Sequence, residues 1–496
     1  MHLTASVNQP DQWEHVRAQF KKIWGYDDFR SPQGEIIRSL MSHRDALIVM
    51  PTGGGKSICF QLPALMQDGL TLIVSPLVAL MENQVEELRQ KNLPAASLHS
   101  ELSAQMKRQV FQQLEHNRLR LLYLSPETLF SPMVWDCLRH PSLIINGLIL
   151  DEAHCLVQWG DTFRPAYRRL GTVRPALLKM KPAGHKMAIA AFTATADPHA
   201  QRTITTTLQL KNPTTFLISP YRSNLSLHVR TVWTPRGRRN QLMACIRSHA
   251  GQAGLIYVRT RKDSVALAKW LTERGHHTSA YHAGLPSRER RRIEHQWLSG
   301  QMRFVVCTSA FGMGINHPSV RYVVHMQVPM LLSEYVQEVG RAGRDGKPAI
   351  ALSLISEPTG WLDPDDKQRQ RFFQHQVNNQ YQKALRLASH LPSQGNVSEI
   401  SKQVKDGAIA LSLLHSIGQL EWDGPFHYHI RSKRPLKPES IHQSGVSQMT
   451  RYLRTKDCRW RFLLTAFGFK KDAQTMQCGH CDRCCSMSAF PGMVRR

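Results

Sequence analysis

The apolar run Ala46-Leu47-Ile48-Val49-Met50 passes directly into Pro51-Thr52-Gly53-Gly54-Gly55-Lys56-Ser57, and that junction restricts the fold more than any other stretch of the chain. Consecutive glycines let backbone N–H groups converge on phosphate oxygens, Lys56 adds a mobile positive charge, and the Ser57 hydroxyl can complete a magnesium shell. Such a loop works where a parallel strand delivers it to the start of a helix, so its surroundings should be α/β. The strict phosphate-loop pattern has glycine at position 50, where this chain has Met50. The loop is therefore a variant.

The neighbouring sequence agrees with that demand. Short β-rich runs at 46–50, 71–75, 120–124, 143–150 and 187–193 alternate with amphipathic stretches such as 77–88 and 103–114. A second set follows at 254–258, 304–308 and 322–326. Alternation of this kind predicts parallel sheets with helices on their faces, in two α/β domains that meet near residues 205–225. The length of 496 residues leaves room for a third region.

The run Leu148-Ile149-Leu150 leads into Asp151-Glu152-Ala153-His154. At the end of a strand Asp151 can hold magnesium, and Glu152 can accept a proton from an attacking water. A buried, salt-bridged acidic pair is the alternative for an isolated Asp-Glu. Coupled to the phosphate loop, the pair predicts hydrolysis of a nucleoside triphosphate. In the second set, Gln337-Glu338-Val339-Gly340-Arg341-Ala342-Gly343-Arg344 places two arginines three residues apart among small residues. Arg341 and Arg344 are thus candidates to offset charge on a transferring phosphoryl group.

Of ten cysteines, five crowd into residues 458–485. Cys478, Cys481 and Cys484 can turn around one tetrahedral zinc with Cys458 as the distant ligand. Cys485 is an alternative to Cys484, His480 a weaker candidate, and a redox group or iron–sulfur cluster a different use of the same thiols. Lys plus Arg number 64 against 37 Asp plus Glu, a formal charge of +27. That excess suits a polyanion, nucleic acid before an anionic membrane surface. Basic clusters at 236–239, 259–262, 288–292 and 431–434 are candidates for phosphate contact, or solvated faces. The sequence shows neither an apolar run of membrane-spanning length nor a secretory start, which predicts a soluble cytoplasmic protein.

In order, the segments GYDDFRSPQGEII, VMPTGGGKS, VSPLVALMENQV, YLSPE, DEAHC, FTATA, YVRTR, YHAGL, AFGMGIN and QEVGRAGRDG resemble the RecQ family of DNA helicases, within superfamily two. The resemblance runs from about Phe20 to Leu354 and again through the final cysteines. It implies two RecA-like domains, at 1–210 and 211–357, ATP with magnesium as the fuel, and movement 3′ to 5′ on single-stranded DNA in recombination or repair. It implies that Gln33 contacts the adenine, framed by Tyr26, Phe29 and Arg30, and that Arg344 is the arginine finger with Arg341 beside it. It also implies that the zinc serves folding and DNA contact.

Gln158-Trp159-Gly160-Asp161-Thr162-Phe163-Arg164-Pro165-Ala166-Tyr167 resembles the loop by which the family senses single-stranded DNA. Trp159 and Phe163 can stack on bases and Arg164 can meet a base or phosphate, unless the aromatics form a core cluster instead. Asp161-Thr162 replaces the family's His-Asp and Ala166 its Glu, which bears on coupling between DNA and ATP. Beyond the motor, the chain should continue as a helical linker (358–392), a winged-helix-like segment (393–435) with an Asp423-Gly424 turn, and a zinc subdomain (450–490). The family's usual order puts the winged helix after the zinc. In this hairpin Phe426 and Tyr428 could stack at a DNA fork or pack in the core. Tailed or forked duplexes and repair or single-strand-binding proteins are the expected partners. An RNA helicase, and a zinc-containing DNA-binding protein that uses ATP as a switch, are the competing functions.

Overall fold

The structure is a computed structural model that describes residues 10–157, 164–311, 317–432 and 442–485. The chain divides into two compact units, one of residues 1–50, 54–218 and 377–437, the other of 51–53, 219–376 and 438–496.

Among the described residues, the first unit holds a parallel sheet of β1 (Ala46–Val49), β2 (Leu70–Val74), β3 (Ala95–Leu98), β4 (Leu121–Leu124), β5 (Ile145–Leu150), β6 (Ala188–Thr193) and β7 (Thr214–Leu217). Their order is β3-β4-β2-β5-β6-β1-β7. Leu47 and Val49 enter one apolar cluster while Ala46 and Ile48 enter another, and Leu72 and Ile73 divide in the same way. Side chains on a strand point alternately to its two sides, so both faces of this sheet are covered, and the strands read as continuous apolar runs. The sheet extends past the expected boundary at 210, because β7 pairs with β1 from Ala46↔Thr214 onward. β7 half-buries one face and exposes the other, and its Thr-Thr-Phe-Leu sequence gives little warning of a strand.

The second unit repeats the plan with β8 (Leu225–Val232), β9 (Ala253–Tyr257), β10 (Ala280–Tyr281), β11 (Phe304–Cys307), β12 (Val320–His325) and β13 (Ala349–Ser356) in the order β10-β11-β9-β12-β13-β8. Here too Leu255 and Ile256 go to different cores. Among the described residues, no helix is long and apolar enough to cross a membrane.

After the helix Asp365–His390 come β14 (Gln394–Asn396), helices Val397–Gln403 and Gly407–Ser416, β15 (Leu420–Asp423) and β16 (His427–Ile430). These strands form an antiparallel sheet, β14-β16-β15, with the layout of a winged helix. Gly424 turns the hairpin at φ 72°, a conformation glycine adopts without strain. Tyr428 is buried in this segment's core, and Phe426 packs against the first sheet's apolar core. The aromatics considered for a DNA fork thus both face inward.

His415 lies on this segment beside Trp422, with ring centroids 5.6 Å apart. Burial, then the charge of Arg168, lowers its pKa from 6.5 to about 4. The imidazole is neutral when folded, so its contribution is complete above the unfolded value near 6.5 and is lost as pH falls toward 4. The gap is worth about 3 kcal/mol. Thermal unfolding of the wild type should fall over that window, and His415→Gln should flatten the decline.

Candidate functional site

Met50 explains the variant loop. Its N–H donates to Thr193 O at 2.9 Å and its side chain is buried in the core, so position 50 prolongs β1 and the loop proper starts after it. Gly53 and Gly55 have φ of 86° and 78°, and Lys56 begins the helix Lys56–Met66. A helix start offers partial positive charge to an anion. Gln33 locks the loop from the side: its Nε2 donates to Gly54 O at 3.0 Å, while its Oε1 accepts from Arg30 N–H at 3.0 Å. A Cβ at Gly55 would collide with that amide. Tyr26 and Arg30 are exposed nearby in sequence, and Phe29 packs on Phe20 at 4.4 Å. Gln33, expected as a base reader, braces the phosphate loop.

Lys56 Nζ is buried without a hydrogen-bond acceptor among the described residues, 3.8 Å from Glu152 Oε1. Phosphate oxygens are the acceptors such an ammonium lacks. Asp151 ends β5, its backbone N–H on Val74 O at 2.9 Å and its Oδ1 accepting from Glu152 N–H at 3.0 Å. Burial, then the neighbouring Glu152, raises Asp151 to about 6, against the pull of Lys56. A buried carboxylate beside a second one is relieved by a cation, so the chemistry of Asp151 suits a bound magnesium. Glu152 has φ 52°, an unusual backbone for a non-glycine residue that is often retained where chemistry demands it.

His154 and Thr193 were not among the candidates from sequence. His154 Nδ1 lies 3.1 Å from Glu152 Oε2 and 3.2 Å from Thr193 Oγ1, which donates to Thr195 O at 3.0 Å. Burial opposes charge on His154, but Cys155 and Glu152 outweigh it and raise the pKa to about 10. The chain of contacts links the acidic pair to the Thr193-Ala194-Thr195 turn. Its only sequence signal is the ordered pairing of DEAH with FTATA. Arg164 pairs with Glu127 at 3.2 Å, whereas Trp159 and Phe163 lie outside the described residues.

In the second unit, Glu338 accepts both arms of Arg259 at 2.9 and 2.7 Å and lies 2.9 Å from His325 Nε2. Burial would raise its pKa, but Arg259 and His325 hold it near 2. Arg222 donates to the carbonyls of Gly340, Ala342 and Gly343, and Asn224 to that of Gly343 at 2.7 Å. This scaffolding fixes the turn carrying the buried Arg341 and the half-buried Arg344. Arg259, and likewise Arg238 with Asp363 at 2.8 Å, are internal ion pairs rather than surface phosphate contacts. Arg292 and Arg431 pair with Glu289 and Glu421, and 433–434 lie outside the described residues.

The sulfurs of Cys458, Cys478, Cys481 and Cys484 lie within 4.8 Å of one another, with Cys478 and Cys484 3.8 Å apart. Ligands about 2.3 Å from a tetrahedral zinc stand about 3.8 Å apart, so the set fits. Hydrogen bonding from Cys478, against burial, and from the N–H groups of Arg459 and Arg483 lowers the Cys481 thiol pKa, favouring its thiolate. Cys485 turns to Gly479 O and His480 to Tyr221 Oη at 3.4 Å, so neither joins the set. Arg459, fully buried, holds Asp482 at 2.6 and 2.9 Å, while Trp460 Nε1 and Asp482 N–H donate to Leu225 O and Leu227 O on β8.

Family models match three stretches: the DEAD/DEAH box helicase at 30–204, the helicase conserved C-terminal domain at 237–346 and the RecQ zinc-binding region at 427–485. The chain is 52% identical over 472 residues to the ATP-dependent DNA helicase RecQ of Synechocystis sp., covering 95% of this chain and 98% of that one. It is 39% identical to the probable ATP-dependent DNA helicase RecS of Bacillus subtilis, over 67% of this chain and 65% of the relative. Among solved structures, the DUF1998 helicase MrfA bound to DNA superposes with a TM-score of 0.58 at 17% identity, covering 88% of this chain and 64% of that one. Saccharomyces cerevisiae Dbp5 bound to RNA and ADP BeF3 gives 0.56 at 15% identity, covering 71% and 90%. At those identities the structures speak to fold alone.

Proposed function

The chain belongs to the RecQ family of ATP-dependent DNA helicases, and from that premise we propose that it moves 3′ to 5′ on single-stranded DNA and separates tailed or forked duplexes. The observation that carries the chemistry is the buried Lys56 ammonium, lacking an acceptor and set 3.8 Å from Glu152. ATP binds with its phosphates on the Gly53–Lys56 loop and Lys56. Gln33 holds that loop in shape while Tyr26, Arg30 and Gln33 border the base. Magnesium, held by Ser57 and Asp151, supplies charge neutralisation for the phosphates when bound. Glu152 takes the proton of the attacking water, and His154 orients its carboxylate. Arg344, with Arg341, offsets the charge that develops on the transferring phosphoryl group. Trp159, Phe163 and Arg164 report the presence of DNA to this centre through their short connection to DEAH.

Zinc held by Cys458, Cys478, Cys481 and Cys484 would order the segment whose Trp460 and Asp482 meet β8, and would serve folding rather than chemistry. The cellular setting that suits this activity is recombination and repair on the cytoplasmic nucleoid, with repair and single-strand-binding proteins as partners. ATP turnover and unwinding of a 3′-tailed duplex, measured together on wild type and Lys56→Ala, test the reading. Turnover stimulated by single-stranded DNA more than by RNA, with both activities lost in the variant, is expected. ATP binding without turnover in the wild type would overturn it.

A further inference from the structure

The inserted hairpin has its tip turned into the first unit. Phe426 meets Trp135 edge-on at 5.5 Å and 80°, and Phe130 at 6.2 Å and 84°. Arg169 lies over the Phe130 ring at 4.2 Å and donates to Pro425 O at 2.9 Å. Ser412, on the helix before the hairpin, donates to Pro165 O at 3.2 Å. The Arg169 and Ser412 contacts are made with the short helix Pro165–Thr172, which directly follows Arg164, and Arg169 ties that helix to the Phe130 ring on which Phe426 packs. Glu127, which holds Arg164, opens the same helical corner that carries Phe130. One corner therefore fixes Arg164 at one point and Arg169, with the hairpin tip, at another.

We propose that Phe426 is a positioning residue: the inserted hairpin is a plug that braces the segment leaving the aromatic-rich loop, rather than a wedge that parts DNA strands. A wedge presents its tip aromatic to solvent, where a base pair can meet it. Here the aromatic is half-buried edge-on against Phe130 and Trp135 and the neighbouring carbonyl is held by Arg169, so the docked tip is turned toward the protein rather than toward a base pair. What the docking does is fix the backbone direction at Arg164, the last residue of the DNA-sensing segment. This rests on the reading that residues 158–164 couple DNA to hydrolysis.

The test uses the full chain with Phe426→Ala, Phe426→Leu and Arg169→Gln, and Trp159→Ala as the comparator. Turnover without DNA, the DNA concentration that half-saturates stimulation, and base pairs unwound per ATP are measured. Phe426→Ala should leave DNA-free turnover unchanged and raise the half-saturating DNA concentration roughly two- to tenfold, the range that loss of aromatic packing allows. Unwinding should fall in proportion, so that base pairs per ATP stay constant, and Phe426→Leu should restore most of the loss. Arg169→Gln keeps the rings packed and should shift stimulation in the same direction, which decides the matter if Phe426→Ala does not fold. Normal stimulation with unwinding lost would make the hairpin a wedge and overturn the inference. So would unchanged stimulation in both Phe426→Ala and Arg169→Gln while Trp159→Ala is impaired. Full stimulation in Trp159→Ala would instead overturn the coupling role of the loop, and this inference with it.

Discussion

Glu152→Gln should lower DNA-stimulated ATP turnover by about 10²–10⁴-fold, the range lost with a positioned general base, while ATP binding persists. The amide keeps the shape of the carboxylate but cannot take a proton from water. It also removes the negative charge 3.8 Å from Lys56, so the ammonium is left wholly to the phosphates. Asp151, raised by burial and then by Glu152, should become easier to ionise, which favours retention of magnesium. Steady-state turnover combined with fluorescent-nucleotide titration checks both halves. A variant that turns over at the wild-type rate would remove Glu152 from the chemistry. Lys56→Ala should behave differently, losing affinity for ATP together with turnover, because its ammonium lies where ground-state phosphates bind.

Cys481→Ser, or exhaustive chelation, should strip the zinc and loosen residues 442–485 from β8. Structural zinc in small modules supplies an apparent ~10–16 kcal/mol, a large share of what holds a segment of this size in place. Cys481 is fully buried and accepts from Arg459 N–H at 3.5 Å, so the metal orders the start of the helix Arg459–Ala466 as well as the cysteine turn. Metal analysis should show one zinc per chain falling to none, with new protease cleavage inside 442–485. ATP binding should survive, because the phosphate loop and DEAH lie in a different part of the chain. Cys485→Ser should keep its zinc, since that sulfur turns toward Gly479. Zinc lost from Cys485→Ser and kept by Cys481→Ser would mean a different ligand set.

The parts legible in advance were those whose chemistry is local. A strand running into glycines and Lys56, a strand running into Asp151-Glu152, and three cysteines spaced around one turn each carry their meaning within a few residues. The apolar runs of β1, β2, β5 and β6 were visible because burial on both faces leaves few polar positions in them, Thr71, Asn146 and Thr193 among them. Edge strands with one half-buried face, such as β7, lack that signature. Arg259 illustrates a second kind of loss: its basic neighbourhood reads as surface charge, and only the approach of Glu338 from a residue 79 positions away makes it an internal ion pair.

By itself the sequence determined the two-sheet α/β plan, the phosphate and acidic elements and a cysteine cluster suited to zinc, because each depends on side-chain type and short-range spacing, whereas the choice of Cys484 over Cys485 came from the fold. Tertiary structure decided what Gln33, His154, Arg222, Arg259 and Phe426 do. Each takes its role from partners distant in sequence: Gly54 for Gln33, Thr193 for His154, the 340–343 carbonyls for Arg222, Glu338 for Arg259, and Phe130 with Trp135 for Phe426. A hydrogen bond or ring contact of this kind acts only at a few ångströms, and that proximity is created by folding.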